Sequence, residues 1–212
     1  GVTEVEDEVL RREVRQLEGA YLSNSLMDRS KVLLQRLPFI EQGVDYSTSP
    51  VPGSPDLVDV DIDLEYRMPG QFSFGVGYSG LQKLLLNGNI IHSNFLGSGN
   101  RVAVRLNSGR YQKIYSVSHT DPYRTMDRVS RTVSLTHQDI AQFTSAASDF
   151  STASTSAAVD YSYPITDYQR LSFGVSYQRS QLLATSNSTA QAQEWVANNG
   201  TQFTEIVGNR YQ

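Results

Sequence analysis

The sequence predicts a small α+β module over residues 1–67 and then an antiparallel transmembrane β-barrel over residues 71–212. The main evidence is residues 71–79, where large apolar residues alternate with small or polar ones; almost the same string returns at 171–177. Because successive side chains of a strand point to opposite faces, each string gives one apolar and one polar face. The apolar side chains of the first string are Phe72, Phe74, Val76 and Tyr78. A lipid-facing band outside and a polar lumen inside would have this pattern.

Composition excludes several classes of protein. The chain has 212 residues, a net charge of −4 and no Cys. An acidic balance argues against a nucleic-acid surface, and the absence of Cys excludes disulfides and thiolate metal sites. No apolar run approaches the roughly 20 residues of a membrane helix, but alternating barrel strands do not need one.

Two helices are predicted first. Thr3 is a candidate N-cap and Gly19 a candidate C-cap for the first helix. Its apolar residues recur at helical spacing and are Val5, Val9, Leu10, Val14 and Leu17. The second helix is predicted over residues 25–37 and ends before Pro38. Its expected apolar stripe comprises Leu26, Val32, Leu33 and Leu37.

Two strands complete the predicted module, over residues 39–48 and 57–66, joined by a Pro-rich connection. The order helix, helix, strand, strand predicts helices on one face of a sheet. The second strand alternates apolar residues with four acids, which are Asp59, Asp61, Asp63 and Glu65. Acids at strand spacing indicate a solvated face rather than a calcium loop.

The second half is predicted to form about seven antiparallel strands. The expected strands are 71–79, 83–93, 100–108, 112–120, 130–139, 152–163 and 168–180. The register places Arg105 and Asp160 on the lumen face, where charge costs least. Residues 144–156 are either a loop or a weak strand, and residues 181–202 are expected to form a long exterior loop with a short helix.

We expect this chain to be a slice of a longer protein, because bacterial barrels use an even number of strands from 8 upward. An open sheet edge in lipid would leave backbone groups unpaired.

No catalytic, cofactor or metal site is expected. The three histidines lack the spacing of metal ligands, and no Ser, His and Asp constellation has supporting context. The short Gly97-to-Gly99 string indicates a hairpin turn rather than a phosphate loop.

Several strings in both halves resemble the BamA family of outer-membrane protein assembly factors. The matching strings are, in order, VLRREVRQLEGAY (9–21), VPGSPDLVDV (51–60), FSFGVGY (72–78), NFLGSGN (94–100) and DPY (121–123). The first two resemble the last POTRA domain, a periplasmic β-α-α-β-β module, and the others resemble the beginning of the barrel. Two departures are the absence of the first POTRA strand and Pro38 where the family has Gly.

The resemblance implies a subunit that folds and inserts unfolded outer-membrane proteins into the lipid of the bacterial outer membrane, without a cofactor. It also implies no bond-making chemistry, so we expect a protein that is not an enzyme. The first barrel strand would act as a lateral gate that offers its edge to an incoming strand. The gate residues implied are Phe72, Phe74, Gly75, Val76, Gly77 and Tyr78. Gly75 and Gly77 would let the strand bend, or would simply make room for lumen side chains.

The resemblance also implies contacts in the periplasm. Glu18, with Arg15 nearby, would help to dock the lipoprotein BamD, although both could be ordinary surface charges. The strand around residues 40–48 is a candidate edge for pairing with substrate, through Ile40, Val44 and Tyr46.

A two-partner secretion pore is an alternative function, since such pores also join POTRA domains to a barrel. A persistent large conductance would favour the pore, whereas strings 51–60 and 18–20 favour the assembly factor.

Overall fold

The fold is taken from a computed structural model. It describes residues 5–80, 83–145, 148–166, 169–184, 188, 190–199, 202–205 and 208–211. The chain divides into two compact units. The N-terminal unit comprises Gly1–Gln71 and His92–Arg101, and the sheet unit comprises Phe72–Ile91 and Val102–Gln212. The sequence did not predict that residues 92–101 group with the first unit.

The N-terminal unit contains two helices and a two-stranded sheet. Its elements are α1 (Asp7–Arg11), α2 (Asn24–Gln35), β1 (Asp45–Pro50) and β2 (Val58–Asp63). Strands β1 and β2 are antiparallel, with Asp45 opposite Asp63 and Pro50 opposite Val58. The predicted order of helix, helix, strand and strand is confirmed.

A small apolar core holds this unit together. Its buried cluster consists of Val9, Leu34, Phe39, Ile40 and Val44. Burying one such side chain contributes about 1.5–3 kcal/mol. The core therefore joins α1, α2 and the segment that leads into β1.

The first helix is shorter than predicted, because it ends at Arg11 rather than near Gly19. Polar side chains replace the helical hydrogen bonds beyond it. The backbone N–H of Arg15 donates to Ser30 Oγ at 2.7 Å, and Gln16 Oε1 accepts the N–H of Ser23 at 3.1 Å. Such side-chain bonds offer the backbone an alternative to helix. The expected N-cap, Thr3, lies outside the described residues.

Two further predictions in this unit are wrong in detail. Helix α2 buries Met27, Ser30, Leu33 and Leu34, whereas the predicted stripe residues Leu26 and Val32 are exposed. The strand predicted over 39–48 begins only at Asp45. Its first part instead turns into the core, where Ile40 and Val44 are buried and the backbone N–H of Ile40 donates to Leu37 O.

The sheet unit is built on a nine-stranded sheet with the order β10-β11-β9-β8-β7-β6-β5-β4-β3. The strands are β3 (Gly70–Ser79), β4 (Lys83–Phe95), β5 (Asn100–Ser108), β6 (Gln112–Asp121), β7 (Ser130–Ser145), β8 (Ser148–Pro164), β9 (Arg170–Ala184), β10 (Gln202–Glu205) and β11 (Gly208–Tyr211). The seven predicted strands are confirmed as β3 to β9, and several are longer than expected.

The weakly patterned segments resolve as regular structure. Residues 148–156, left open between loop and strand, belong to β8, which pairs with β7 up to Ser145 and Ser148. Helix α3 (Ala190–Asn199) confirms the predicted short helix, but β10 and β11 were not predicted. Their four residues each are too short to show a period in the sequence.

Register aligns the two faces of the sheet across β6 to β9. Val117 is opposite Leu135, which is opposite Ala157, which is opposite Tyr177. Leu135 is 58% exposed and Tyr177 is 72% exposed, so this face is apolar and uncovered. A face of this kind is typical of the lipid-facing band of a barrel.

The opposite face is polar. The hydroxyls of Thr120 and Thr132 lie 3.0 Å apart, and Ser172 donates to Ser162 at 3.0 Å. Asp160 lies on this face, where its carboxylate occupies the space above Gly174. No described helix is both long enough and apolar enough to cross a membrane.

Candidate functional site

Strand β3 lies at the end of the nine-strand order and pairs with β4 on one side. Within the part of the chain that the structure describes, no strand covers its other edge. Its apolar side chains point away from protein: Phe72 is 74% exposed and Tyr78 is 75% exposed. Among the described residues, β3 thus pairs along one edge only, beside an apolar surface.

Gly75 and Gly77 lie on the polar face of β3, next to β4. A Cβ built on Gly75 would lie 3.5 Å from Asn87 Nδ2, and one on Gly77 would lie 3.7 Å from Leu85 Cβ. Both distances are ordinary van der Waals contacts, so the site has room for a methyl group at each position. Neighbouring side chains therefore leave room for an alanine at each position.

A shallow pocket lies on the polar face of β3, β4 and β5 and has a volume of about 460 Å³. Its polar lining comes from Ser73, Asn87, Asn89, Arg105 and Asn107. Arg105 is on this face, as the register predicted. The polar face beside β3 therefore carries amide, hydroxyl and guanidinium groups.

The three residues predicted to pair with substrate in the N-terminal unit occupy different environments. Ile40 and Val44 are buried in the core and precede β1. Tyr46 lies in β1, a strand paired with β2 on one side. The pKa of the neighbouring Asp45 is lowered, first by a hydrogen bond from the backbone N–H of Tyr46 and then by Lys31, whose Nζ lies 3.2 Å from Asp45 Oδ1.

Glu18 and Arg15 are not brought together as a pair. Glu18 accepts a hydrogen bond from Arg11 Nη1 at 2.5 Å, and Arg11 also pairs with Asp7. Beside Glu18, Leu17 is 73% exposed and Tyr21 is fully exposed. The sequence pattern placed Leu17 on the apolar stripe of the first helix, which is wrong because that helix ends at Arg11. It did not single out Tyr21.

The turn after β4 contacts the N-terminal helix α1, and the sequence did not predict this contact. The backbone N–H of Glu6 donates to Gly97 O at 3.0 Å, and Asn94 Oδ1 accepts the N–H of Gly99 at 2.8 Å. Gly99 has a φ of +71°, and a Cβ there would lie 2.8 Å from Val9 Cγ1. The string 94–100 thus folds as a tight turn packed against α1.

Two family models match the chain. The model of the Omp85 superfamily domain matches residues 94–211, and a POTRA model, described as a surface antigen variable number repeat, matches residues 1–67.

The sequence is also similar to two known outer-membrane protein assembly factors. The outer membrane protein assembly factor BamA of Neisseria meningitidis serogroup B is 30% identical over 177 residues, 82% of this chain and 22% of that protein. BamA of Buchnera aphidicola is 27% identical over 124 residues, 56% of this chain and 19% of that protein. The chain therefore spans about a fifth of the length of these relatives.

The crystal structure of Haemophilus ducreyi BamA lacking POTRA domains 1–3 superposes with a TM-score of 0.75 and 28% identity. The match covers 99% of this chain and 39% of that one. The resemblance to a POTRA domain and the resemblance to a barrel are thus both confirmed. They place the sheet unit in the outer membrane and the POTRA domain, residues 1–67, in the periplasm. Because the superfamily model matches more than half of its residues, the chain belongs to the Omp85 superfamily.

Proposed function

We propose that this chain supplies the lateral gate and the adjoining periplasmic domain of a factor that folds and inserts outer-membrane proteins. The observation that carries the proposal is that β3 is a terminal strand of the described sheet and pairs there only with β4. The assembly-factor names of the relatives support it, as does the likeness to a solved BamA structure.

The mechanism follows from the cost of unpaired backbone groups in hydrocarbon. Each unpaired donor or acceptor costs several kcal/mol in the bilayer core, so a substrate strand must pair before it enters. The free edge of β3 can add such a strand by β-augmentation. Gly75 and Gly77 lower the stiffness of β3, and this lets the strand peel away and rejoin. The process makes no covalent bond and needs no catalytic group.

A surface of α1 and the following loop would dock the lipoprotein BamD. We assign this role to Glu18, together with the exposed apolar groups Leu17 and Tyr21. Apolar anchors beside a charge are typical of interface hot spots. Arg15 lies three residues earlier, in the loop after α1, and would contribute to the rim of the same surface.

The free edge of β1 would give substrate strands a first place to pair in the periplasm. Tyr46 lies on that strand, and its backbone N–H, which donates to Asp45 Oδ1 at 3.0 Å, would exchange that acceptor for the carbonyl of a passing peptide. Ile40 and Val44, by contrast, would act only by holding β1 in place, because both are buried.

A disulfide lock tests the gate. In the intact outer-membrane protein, one Cys replaces Phe74 and another is placed on the final barrel strand. We expect rapid cross-linking under oxidation and a loss of porin assembly that reductant reverses, because the locked edge cannot accept a strand. Assembly is measured as the heat-modifiable fraction of a porin in vesicles.

Phe173 provides the matched control for this lock. It is also an exposed aromatic on the apolar face, but it lies on β9, which has neighbours on both sides. A Cys there should not cross-link to the final strand. Normal porin assembly when the disulfide at position 74 has formed completely would contradict the gate proposal.

Charge reversal tests the docking surface. Glu18→Lys should reduce co-purification of the lipoprotein by about tenfold, as truncation at a hot spot often does. Because Glu18 pairs with Arg11, the double variant Arg11→Glu with Glu18→Lys restores the local ion pair. If the double variant regains full binding, the ion pair matters for local structure and Glu18 does not contact the partner. The exposed Glu41→Lys is the surface control.

A further inference from the structure

The turn between β6 and β7 and the first residues of β7 carry three arginines at one end of the barrel wall. Strand β3 begins directly after the N-terminal unit, so this end of the antiparallel sheet faces the periplasm. The turns after β4, β6 and β8 lie at the same end, because antiparallel strands alternate in direction. The arginines of the β6–β7 region are Arg124, Arg128 and Arg131.

Arg131 lies on the lipid-facing side of β7. Val133 and Leu135 follow it at strand spacing on the exposed apolar face. Register places Arg131 opposite Asp121 of β6 and opposite Tyr161 of β8. The guanidinium thus lies on the outer surface, next to the apolar band that begins at Val133.

Within the described ranges, no ion pair of the Arg131 side chain explains its position. Its Nε is buried, and among the described residues no atom accepts a hydrogen bond from it. The acid opposite, Asp121, instead accepts the backbone N–H of Tyr123 on Oδ1 at 3.1 Å and so stabilises the turn. An arginine on the lipid face is unfavourable unless it reaches the interface or finds an anion.

The other charged groups of the turn do not fill this role. Arg128 donates to the hydroxyl of Tyr123 at 3.1 Å and lies over its ring, 5.8 Å from the centroid. Arg124 and Asp127 are exposed in the turn itself. The imidazole of His119 belongs to the next row, opposite Val133. An anion from outside the protein is therefore the partner that the charge pattern fits.

Neighbouring aromatic residues indicate how deep Arg131 lies in the membrane. Tyr161 stacks on Phe173 of β9, with ring centroids 5.7 Å apart. Because Arg131 is opposite Tyr161 and Tyr161 is opposite Phe173, the three side chains form one row across β7, β8 and β9. Aromatic belts of membrane proteins lie at the level of the lipid headgroups. The row therefore places a cation beside aromatic rings at headgroup depth.

We propose that Arg131 binds the phosphate of a phospholipid in the inner leaflet, with the Tyr161–Phe173 pair against the glycerol and upper acyl chains. A guanidinium matches phosphate oxygens as a two-pronged donor. The bound lipid would fix the headgroup plane at β7, independently of any role of the β3 edge.

Native mass spectrometry of the intact protein tests this site. The protein is released from vesicles of phosphatidylethanolamine and phosphatidylglycerol, and the fraction that keeps one phospholipid is counted. Arg131→Gln should lower that fraction by about fivefold, the effect of one basic group near a membrane surface. Arg131→Lys keeps the charge and should retain an intermediate fraction. Arg105→Gln removes an arginine from the opposite, polar face and should match the wild type.

Two further arms distinguish the possible sources of binding. Vesicles that contain digalactosyldiacylglycerol report on a lipid without phosphate, which should not be retained. Inorganic phosphate at millimolar concentration should not displace the phospholipid. The proposal is wrong if Arg131→Gln and the wild type retain lipid equally, if Arg105→Gln loses as much, if the galactolipid is retained equally well, or if free phosphate displaces the lipid. A folded Arg131→Lys variant keeps the test decisive should the Gln variant fail to fold.

Discussion

At the scale of single residues, Gly99 shows how one position fixes a turn. Its positive φ suits glycine, and a Cβ there would lie 2.5 Å from Arg12 Nη2 and 2.8 Å from Val9 Cγ1. The turn of residues 94–99 also bonds to the backbone of Glu6. Both the backbone conformation and the packing against α1 thus exclude any larger residue.

Replacing Gly99 with Ala should loosen this contact. The left-handed conformation alone costs an L-residue about 1–2 kcal/mol, and the overlap with Val9 adds to that cost. Hydrogen-exchange mass spectrometry of the intact protein should show faster exchange at the Glu6 amide. Gly80→Ala is the control, because a Cβ there would meet no atom within 4 Å. Equal protection in both variants would mean that the turn does not depend on Gly99.

At the scale of elements, alternation predicted the barrel strands well and the N-terminal unit less well. Strand β5 was predicted with its exact bounds of 100–108, because Val102, Val104 and Leu106 keep a strict period of two. The first helix was overestimated, since Ser30 Oγ accepts the backbone N–H of Arg15. That bond joins residues 15 positions apart in sequence, so no local pattern contains it.

The candidate gate could be predicted only through resemblance to known proteins. The residues of β3 show a strand with two faces, but the position of that strand at the sheet edge is a property of the whole topology. The exposed pair of Leu17 and Tyr21 was missed for a related reason. Their spacing is compatible with a helix packed on a core, and only the fold shows that the helix has already ended.

The glycines of β3 give a prediction about this element. Replacing both Gly75 and Gly77 with Ala should preserve the fold, because each site has room for a methyl group. The change should stabilise the paired conformation of the strand by about 0.5–1 kcal/mol per position and so make it less able to bend. We therefore expect an equally or more stable barrel that assembles porins several times more slowly.

A matched substitution in the neighbouring strand controls for a general effect on the sheet. Gly88→Ala on β4 places a methyl group 3.7 Å from Leu106, a contact similar to those at Gly75 and Gly77. This variant should assemble porins at the wild-type rate. Slow assembly in both variants would mean that barrel stiffness in general, rather than the flexibility of β3, sets the rate.

At the scale of the whole molecule, the two units follow different physical rules. The N-terminal unit buries its apolar side chains, among them Val9, Leu34 and Phe39, as a water-exposed domain must. The sheet unit leaves its apolar face uncovered over several strands, with Leu135, Val175 and Tyr177 strongly exposed. Such a surface is stable only where lipid covers it. The burial of apolar side chains therefore differs between the two units as expected for one unit in the periplasm and one in the membrane.

Two adjacent residues of β7 test this division, because they lie on opposite faces of the wall. Leu135 is 58% exposed on the apolar face, whereas Ser134 is opposite Ser118 and Ala158 on the polar face. In water, an arginine would be tolerated at an exposed Leu135 and resisted at the less exposed Ser134. In a bilayer the order reverses, since an arginine on the lipid face costs about 2–4 kcal/mol near the midplane. We therefore expect Leu135→Arg to lower the folded fraction in vesicles at a fixed urea concentration far more than Ser134→Arg, with folding scored by heat-modifiable migration. A larger loss for Ser134→Arg would mean that the apolar face of this sheet is not the face that lipid covers.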